Sequence, residues 1–193
     1  MLPSSLHTFA ADCAEPASQR FAVAVYGGAF DPPHAGHASV IRRTLETCDH
    51  VVVVPSYRHA DAKRMADFDL RCAWVERMAA RFGGRVTCSP VERELGADGR
   101  VVYSYDLMCR IAQDHALTSQ RLALVIGEDN LTRLGTFHRA AELRERFGLL
   151  VANEEMTVHS SAIRAMIASG QAIPAAWQLP EIQADMTIYR RTM

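Results

Sequence analysis

A stretch of eleven residues, 27–37 (GGAFDPPHAGH), constrains the fold more than any other part of the chain. Residues 21–26 before it form an apolar run with the length of a buried strand. Residues 38–47 after it carry apolar side chains at helical spacing. The stretch is therefore predicted to be the turn from a first strand into a first helix. Such turns lie at the carboxyl edge of an open α/β sheet, where ligands bind.

The residue types in this turn suit a phosphate group. Gly27 and Gly28 lack a Cβ, so the backbone can bend sharply and approach a ligand closely. The start of the following helix offers unpaired N–H groups and a partial positive charge. His34 and His37 bracket that start, and their imidazoles could donate hydrogen bonds to phosphate oxygens. The turn is therefore predicted to bind phosphate.

Other interpretations of the turn fit the sequence less well. A closed zinc site would need further ligands, but no cysteine or third histidine stands nearby at a suitable spacing. The glycines do not follow the G-x-G-x-x-G fingerprint of dinucleotide-binding folds, and no Gly-Lys-Ser/Thr follows as in a Walker A loop.

The stretch resembles the GG-x-FDP-x-H-x-GH signature of the nicotinate mononucleotide adenylyltransferases, which belong to the nucleotidyltransferase superfamily marked by an H-x-G-H tetrad. The resemblance covers about residues 20–190. It implies a single Rossmann-like α/β domain with a parallel sheet of five or six strands flanked by helices. It also implies a reaction of NAD biosynthesis, in which AMP passes from ATP to nicotinate mononucleotide and pyrophosphate leaves. Mg²⁺ is expected on the ATP phosphates, with no protein metal site.

The resemblance assigns roles to named residues. Catalytic roles around the α-phosphorus and the leaving pyrophosphate are expected for His34, His37 and Arg164. The residues expected to bind ATP are Gly27, Gly28, Ala29, Phe30, Gly36, Gly127, Asp129, Ser160 and Ser161.

Two later segments carry part of this ATP site. Gly127 and Asp129 follow a predicted buried strand, 121–126, although on spacing alone Asp129 could equally cap a helix. Ser160 and Ser161 precede a short predicted helix with Arg164 in its first turn. Helix N–H groups, hydroxyls and a guanidinium can together clamp a polyphosphate. In isolation this segment would be an ordinary capped helix, and the threonine hydroxyl of the family is lost or displaced next to Ala162.

Acceptor binding is expected at Lys63, Tyr103, Ser104 and Phe137. Lys63 lies in a polar loop, 56–67, where the family has a basic His-Lys pair; here the pair is stretched to His59 and Lys63. Tyr103 and Ser104 match the start of a family Tyr-Thr-x-Asp-Thr motif, and Ser104 is predicted to cap a helix. Phe137 stands in place of a family tryptophan, where a ring could stack on the pyridine or pack in the core.

Composition sets the remaining limits. The 193 residues suit one domain, predicted at 20–193 after a flexible leader at 1–19. A formal net charge of −1 without a basic block does not indicate binding to nucleic acid or to a membrane. Five scattered cysteines fit reduced thiols in a cytoplasmic protein. The sequence is compatible with a homo-oligomer.

Two alternatives to the adenylyl transfer remain open. A transferase of the same superfamily could use another phosphate acceptor, such as phosphopantetheine. A protein with this fold could also bind a nucleotide for regulation without catalysis.

Overall fold

A computed structural model describes residues 6–9, 20–58, 64–152 and 156–190 of the chain. Its strands are β1 (Leu6–Phe9), β2 (Phe21–Gly28), β3 (Cys48–Pro55), β4 (Val86–Cys88), β5 (Leu122–Gly127) and β6 (Gly148–Ala152). Its α-helices are α1 (Ala35–Thr47), α2 (Phe68–Ala80), α3 (Val91–Leu95), α4 (Ser104–Asp114), α5 (Glu128–Leu131), α6 (Ala140–Arg146) and α7 (Ser160–Ala168). Short 3₁₀ helices span Ser119–Arg121, Leu134–Thr136 and Ala175–Trp177, and a longer 3₁₀ segment spans Pro180–Arg190.

The described strands form one six-stranded sheet in the order β1-β6-β5-β2-β3-β4. Strands β2 to β6 are mutually parallel, as predicted, and β1 pairs antiparallel with β6. Residues Leu6–Phe9, within the segment predicted as a flexible leader, form an edge strand of the sheet. The other residues of that segment lie outside the described part of the chain.

Apolar side chains alternate between the two faces of the sheet and build a core on each. In β3, Val51 and Val53 pack in one cluster, whereas Val52 and Val54 pack in the other, as the two-residue period of a strand requires. Helices α1 and α2 cover the first face, where Trp74 is fully buried. Helices α4 and α6 cover the second. Both faces are thus covered, as in other parallel sheets.

The chain order of the strands places a crevice at the middle of the sheet. From β2 the sheet grows through β3 to β4 on one side, while β5 and β6 lie on the other. The carboxyl ends of β2 and β5 therefore flank the point where the winding direction reverses, which is where open α/β sheets bind ligands. The turn at 27–37 follows β2, and Gly127 ends β5. None of the described helices combines the length and apolar character needed to span a bilayer.

Candidate active site

The turn between β2 and α1 holds its two histidines in a fixed mutual arrangement. His34 caps the N terminus of α1 in an extended conformation, and His37 lies in the first turn of the helix. The backbone N–H of His34 donates a hydrogen bond to Nδ1 of His37 at 3.1 Å. Because Nδ1 accepts, the neutral His37 ring carries its proton on Nε2. His37 thus has one ring N–H left to donate to a ligand.

The imidazole rings pack closely against each other and against aromatic neighbours. The centroids of His34 and His37 lie 3.7 Å apart. The His37 ring also lies 4.9 Å from that of Phe30, which in turn meets Tyr26 edge-on at 5.4 Å. Tyr26 and Phe30 thereby hold the His37 ring in one orientation.

Both histidines are neutral around pH 7. Burial lowers the pKa of His34 to about 4, and the nearby His159 acts in the same direction. Burial, and then His34, lower the pKa of His37 well below its usual value. Neutral imidazoles act on a phosphate through hydrogen bonds rather than as fixed cations. A bound phosphate would favour protonation, because an anion nearby stabilises the charged form.

Gly36 is required by the packing between α1 and the segment that precedes α7. A Cβ at this position would lie 2.9 Å from Cγ1 of Val158 and 3.0 Å from Nδ1 of His34. Gly28 is less constrained, since its Cβ would meet the Phe30 ring at 3.3 Å. Gly27 has space, because the nearest atom would be 4.0 Å away on Leu107.

Helix α7 brings Ser160 and Arg164 to the same edge of the sheet as the histidines. The Ser160 hydroxyl donates to the carbonyl of Pro32 at 2.9 Å. Arg164 donates through Nη1 to the main-chain carbonyl of Asp31, and this nitrogen lies 3.3 Å from Oδ2 of the same residue. Arg164 therefore reaches the turn that carries His34 and His37. Both α7 side chains contact the turn itself.

A cavity of about 170 Å³ opens between the turn and α7. Its lining residues are Tyr26, His34, Gly36, His37, Ser39, Val40, Met156, Val158, His159 and Ser160. The volume is below the ~300–1,000 Å³ of pockets that enclose a whole small ligand, so it has room for part of a nucleotide. His159 is a cavity residue to which the sequence analysis gave no role, although it stands directly before the predicted serine pair.

The remaining predicted ATP residues differ in where they lie. Gly127 ends β5 and caps α5, so Asp129 falls inside this helix rather than at its cap. The side chain of Asp129 lies outside the described residues. Ser161 is exposed in the first turn of α7. Among the described residues, no group of three or more His, Cys, Asp or Glu could hold a metal ion.

The predicted acceptor residues are only partly brought together. Tyr103 is 46% exposed and its ring stacks on that of His138 at 4.6 Å and 31°. Tyr103, not Ser104, is the N-cap of α4, and Ser104 is the first residue of the helix. Phe137 is partly buried against the second core cluster. Lys63 and His59 lie outside the described residues.

Two buried charged residues beside the turn have no role in the sequence prediction. Asp31 and Arg71 are each 1% exposed. Asp31 stands inside the signature, next to two prolines. Arg71 gives no local signal, because its position on α2 acquires meaning only from the tertiary contacts.

The sequence of this chain matches a known family over most of its length. The sequence model of the cytidylyltransferase-like family matches residues 25–173, which include both histidines and Arg164. A curated relative from Myxococcus xanthus (strain DK1622), named a probable nicotinate-nucleotide adenylyltransferase, is 32% identical over 78% of this chain and 84% of its own length. A relative of the same name from a Nitratiruptor species is 26% identical over 86% of this chain and 84% of its own.

Solved structures share the fold. A Vibrio parahaemolyticus protein assigned provisionally as a nicotinate-nucleotide adenylyltransferase superposes with a TM-score of 0.73 at 28% identity, over 86% of this chain and 98% of that one. The Plasmodium falciparum nicotinic acid mononucleotide adenylyltransferase, solved with NaAD, superposes with a TM-score of 0.65 at 15% identity, over 88% of this chain and 94% of that one. At 15% identity, the similarity to the Plasmodium falciparum protein shows a shared fold and nothing more. The single Rossmann-like α/β domain predicted from the sequence is confirmed.

Proposed function

This chain belongs to the cytidylyltransferase-like family, and on that premise we propose that it transfers AMP from ATP to nicotinate mononucleotide and releases pyrophosphate. The names of its curated relatives support this acceptor.

One observation carries the proposal: two neutral imidazoles and a guanidinium meet at one turn, at the carboxyl edge of the sheet. His34 and His37 lie in van der Waals contact at the start of α1, and Arg164 reaches the same turn from α7. A helix N terminus, ring N–H donors and a guanidinium together suit a polyphosphate and the charge that develops on it.

In the proposed mechanism, the phosphate of the acceptor attacks the α-phosphorus of ATP in line, and pyrophosphate leaves. The protein supplies no nucleophile, so catalysis consists of positioning and charge stabilisation. The Nε2–H of His37 donates to an oxygen of the α-phosphate. Arg164 uses one nitrogen on Asp31 and has other N–H donors for the leaving pyrophosphate. The hydroxyl proton of Ser160 is committed to Pro32, so Ser160 shapes the turn.

We propose that Mg²⁺ arrives as the complex with ATP. Mg²⁺ keeps several waters and is bound mainly through substrate phosphates in enzymes of this kind. Removing it with a chelator is expected to abolish turnover, and excess Mg²⁺ is expected to restore it. Full turnover in the presence of the chelator would contradict this part of the proposal.

For the acceptor, the exposed ring of Tyr103 is a better stacking platform than Phe137. Tyr103 stacks on His138 and keeps much of its surface free, whereas Phe137 packs towards the core. We propose that the pyridine ring of the acceptor stacks on Tyr103, because aromatic rings attract each other in offset stacks and the Tyr103 ring is exposed. The role of Lys63 stays a prediction.

Purified protein incubated with ATP, Mg²⁺ and a panel of acceptors tests the function through pyrophosphate release. Turnover with nicotinate mononucleotide, and not with other phosphate acceptors, is the expected result. Turnover only with another acceptor, such as phosphopantetheine, would show a different transferase. Binding of ATP without turnover on any acceptor would favour a regulatory nucleotide-binding protein.

A further inference from the structure

Phe30 sits at the centre of the turn in a conformation that non-glycine residues rarely adopt. Its φ is +47°, in the left-handed region, and the residue is 1% exposed. Such a conformation costs on the order of 1 kcal/mol or more and persists only where the surroundings enforce it. The contacts on both sides of Phe30 are therefore those that hold the turn in shape.

Two arginines donate hydrogen bonds to the main-chain carbonyl groups of the residues before and after Phe30. Arg71 donates through Nη1 to the carbonyl of Ala29 at 2.8 Å, directly before Phe30. Arg164 donates to the carbonyl of Asp31, directly after it. Arg164 belongs to the proposed phosphate site, but Arg71 lies on α2, beyond the residues that line the cavity.

Arg71 also fixes the end of the loop that follows β3. Its Nε donates to the carbonyl of Ala66 at 2.9 Å, and the N–H of Ala66 donates to Oδ1 of Asp31 at 3.1 Å. Both main-chain groups of Ala66 are thus hydrogen-bonded, one to Asp31 and the other to Arg71. The Tyr189 hydroxyl donates to the same oxygen of Asp31 at 2.6 Å. A buried arginine is costly unless its donors are used and a carboxylate compensates its charge. Asp31 is the group whose charge favours the charged form of Arg71 most, and Glu92 acts in the same direction.

The ring of Phe30 transmits this restraint to the catalytic histidine. It lies 4.9 Å from the ring of His37 and 5.4 Å from that of Tyr26, which itself lies 6.2 Å from His37. If the Ala29 carbonyl were released, Phe30 could relax from the left-handed region, and its ring would move away from His37. We propose that Arg71 is a positioning residue for the His37 imidazole, and that it acts through Phe30. This inference rests on the proposed function only for its effect on turnover.

The test compares Arg71→Lys with Arg77→Lys. Lysine keeps the charge but cannot span the carbonyls of Ala29 and Ala66 with a planar fork. Arg77 is on the same helix and holds the 3₁₀ segment through Asp185 and the Glu181 carbonyl, so its variant controls for general loosening of α2. The imidazole nitrogen and proton signals of His37, recorded by NMR on the ligand-free protein, are expected to shift in Arg71→Lys and to stay at their wild-type positions in Arg77→Lys.

Turnover gives the second measurement. Arg71→Lys is expected to lower kcat by on the order of tenfold with KM for ATP changed less than about twofold, since a displaced donor is lost mainly in the transition state. If the wild type itself does not turn over, the proposed function fails, while the NMR signals still test the positioning role.

A third variant keeps the inference testable if Arg71→Lys does not fold. Phe30→Leu retains Arg71 but removes the ring that links it to His37, so kcat is again expected to fall by on the order of tenfold. The double variant Arg71→Lys/Phe30→Leu is expected to lose no more kcat than the more affected single variant, because both substitutions disturb the same series of contacts. Wild-type His37 signals in folded Arg71→Lys, wild-type kcat in Phe30→Leu, or additive losses in the double variant would overturn the inference.

Discussion

His37 offers a single ring donor to the candidate site, and its removal should be felt mainly in the chemical step. His37→Ala is expected to lower kcat by on the order of 10²-fold or more, within the range for removing a preorganised donor. Pyrophosphate release under saturating ATP and acceptor measures the effect.

A histidine at the other end of the sheet provides the control for His37→Ala. His50 lies near the start of β3, where its Nε2 meets Oγ1 of Thr87 at 2.9 Å, far along the strand from the turn. His50→Ala is expected to keep near-wild-type turnover. A near-wild-type rate in His37→Ala itself would remove the role assigned to this ring.

The buried His34 predicts a pH dependence of stability. Its pKa in the folded protein is lowered to about 4 from 6.5, so between these values the unfolded chain binds a proton that the folded chain does not. The free energy of unfolding should therefore fall as the pH falls from 6.5 towards 4, by about 3 kcal/mol from this group at most. His37 contributes in the same direction.

The measurement is urea unfolding of the wild type and of His34→Gln at pH 7.5, 6, 5 and 4.5. The variant is expected to lose less stability than the wild type over this range, because one of the two buried imidazoles is gone. The difference between the proteins at pH 7.5 reports the packing change alone. An equal loss of stability in the two proteins between pH 7.5 and 4.5 would show that His34 does not titrate as its burial indicates.

At the level of elements, the packing of α1 against the segment before α7 depends on Gly36. Alanine is the better helix former by about 1 kcal/mol, so a substitution in an open helix position would stabilise. Here the new Cβ would lie within 3.0 Å of both Val158 and His34, and both side chains are buried. Gly36→Ala is expected to destabilise by about 1–3 kcal/mol and to lower turnover, because His34 must move.

Gly135 gives the matched control, since a Cβ there would meet no atom within 4 Å. Gly135→Ala is expected to change the free energy of unfolding by less than about 0.5 kcal/mol. Equal thermal midpoints for Gly36→Ala and the wild type, measured by circular dichroism, would show that α1 and the segment before α7 are not in tight contact at Gly36.

The elements also show what the sequence could and could not predict. The strand, turn and helix at 21–47 were predictable, because an apolar run, two glycines and a helical period are all local signals. The helix beginning at Ser160 was predictable for the same reason. Strand β1 was not, since a four-residue edge strand owes its existence to pairing with β6.

Tertiary contacts decide the functional details that the sequence missed. Arg71 and Asp31 became recognisable only when α2 and the turn were seen to pack together. Tyr103 took the N-cap position that Ser104 was expected to fill, so the serine hydroxyl lies one residue inside α4. Phe137 packs against the core, and the exposed platform belongs to Tyr103 and His138. Local sequence propensity does not distinguish an exposed aromatic residue such as Tyr103 from a partly buried one such as Phe137.

At the scale of the whole molecule, the 3₁₀ segment Pro180–Arg190 packs on the face of the sheet that α1 and α2 cover. Tyr189 donates to Asp31, 158 residues earlier in the chain, and the indole N–H of Trp74 donates to Oδ2 of Asp185 at 2.8 Å. Arg77 and Arg81 on α2 and just after it bind Asp185 and Glu181. The last described segment is thus joined both to the buried core and to the candidate active site.

Asp185 is the residue at which this closure can be tested. Trp74 is fully buried, so Asp185→Ala would leave its indole N–H without a partner, at a cost of about 1–3 kcal/mol. Asp98 supplies the control, because it is 64% exposed and lies 3.6 Å from Arg100, and such surface pairs contribute about 0–1 kcal/mol. In urea unfolding, Asp185→Ala is expected to lower the midpoint clearly and Asp98→Ala hardly at all. An unchanged midpoint in Asp185→Ala would mean that the fold does not depend on this closure.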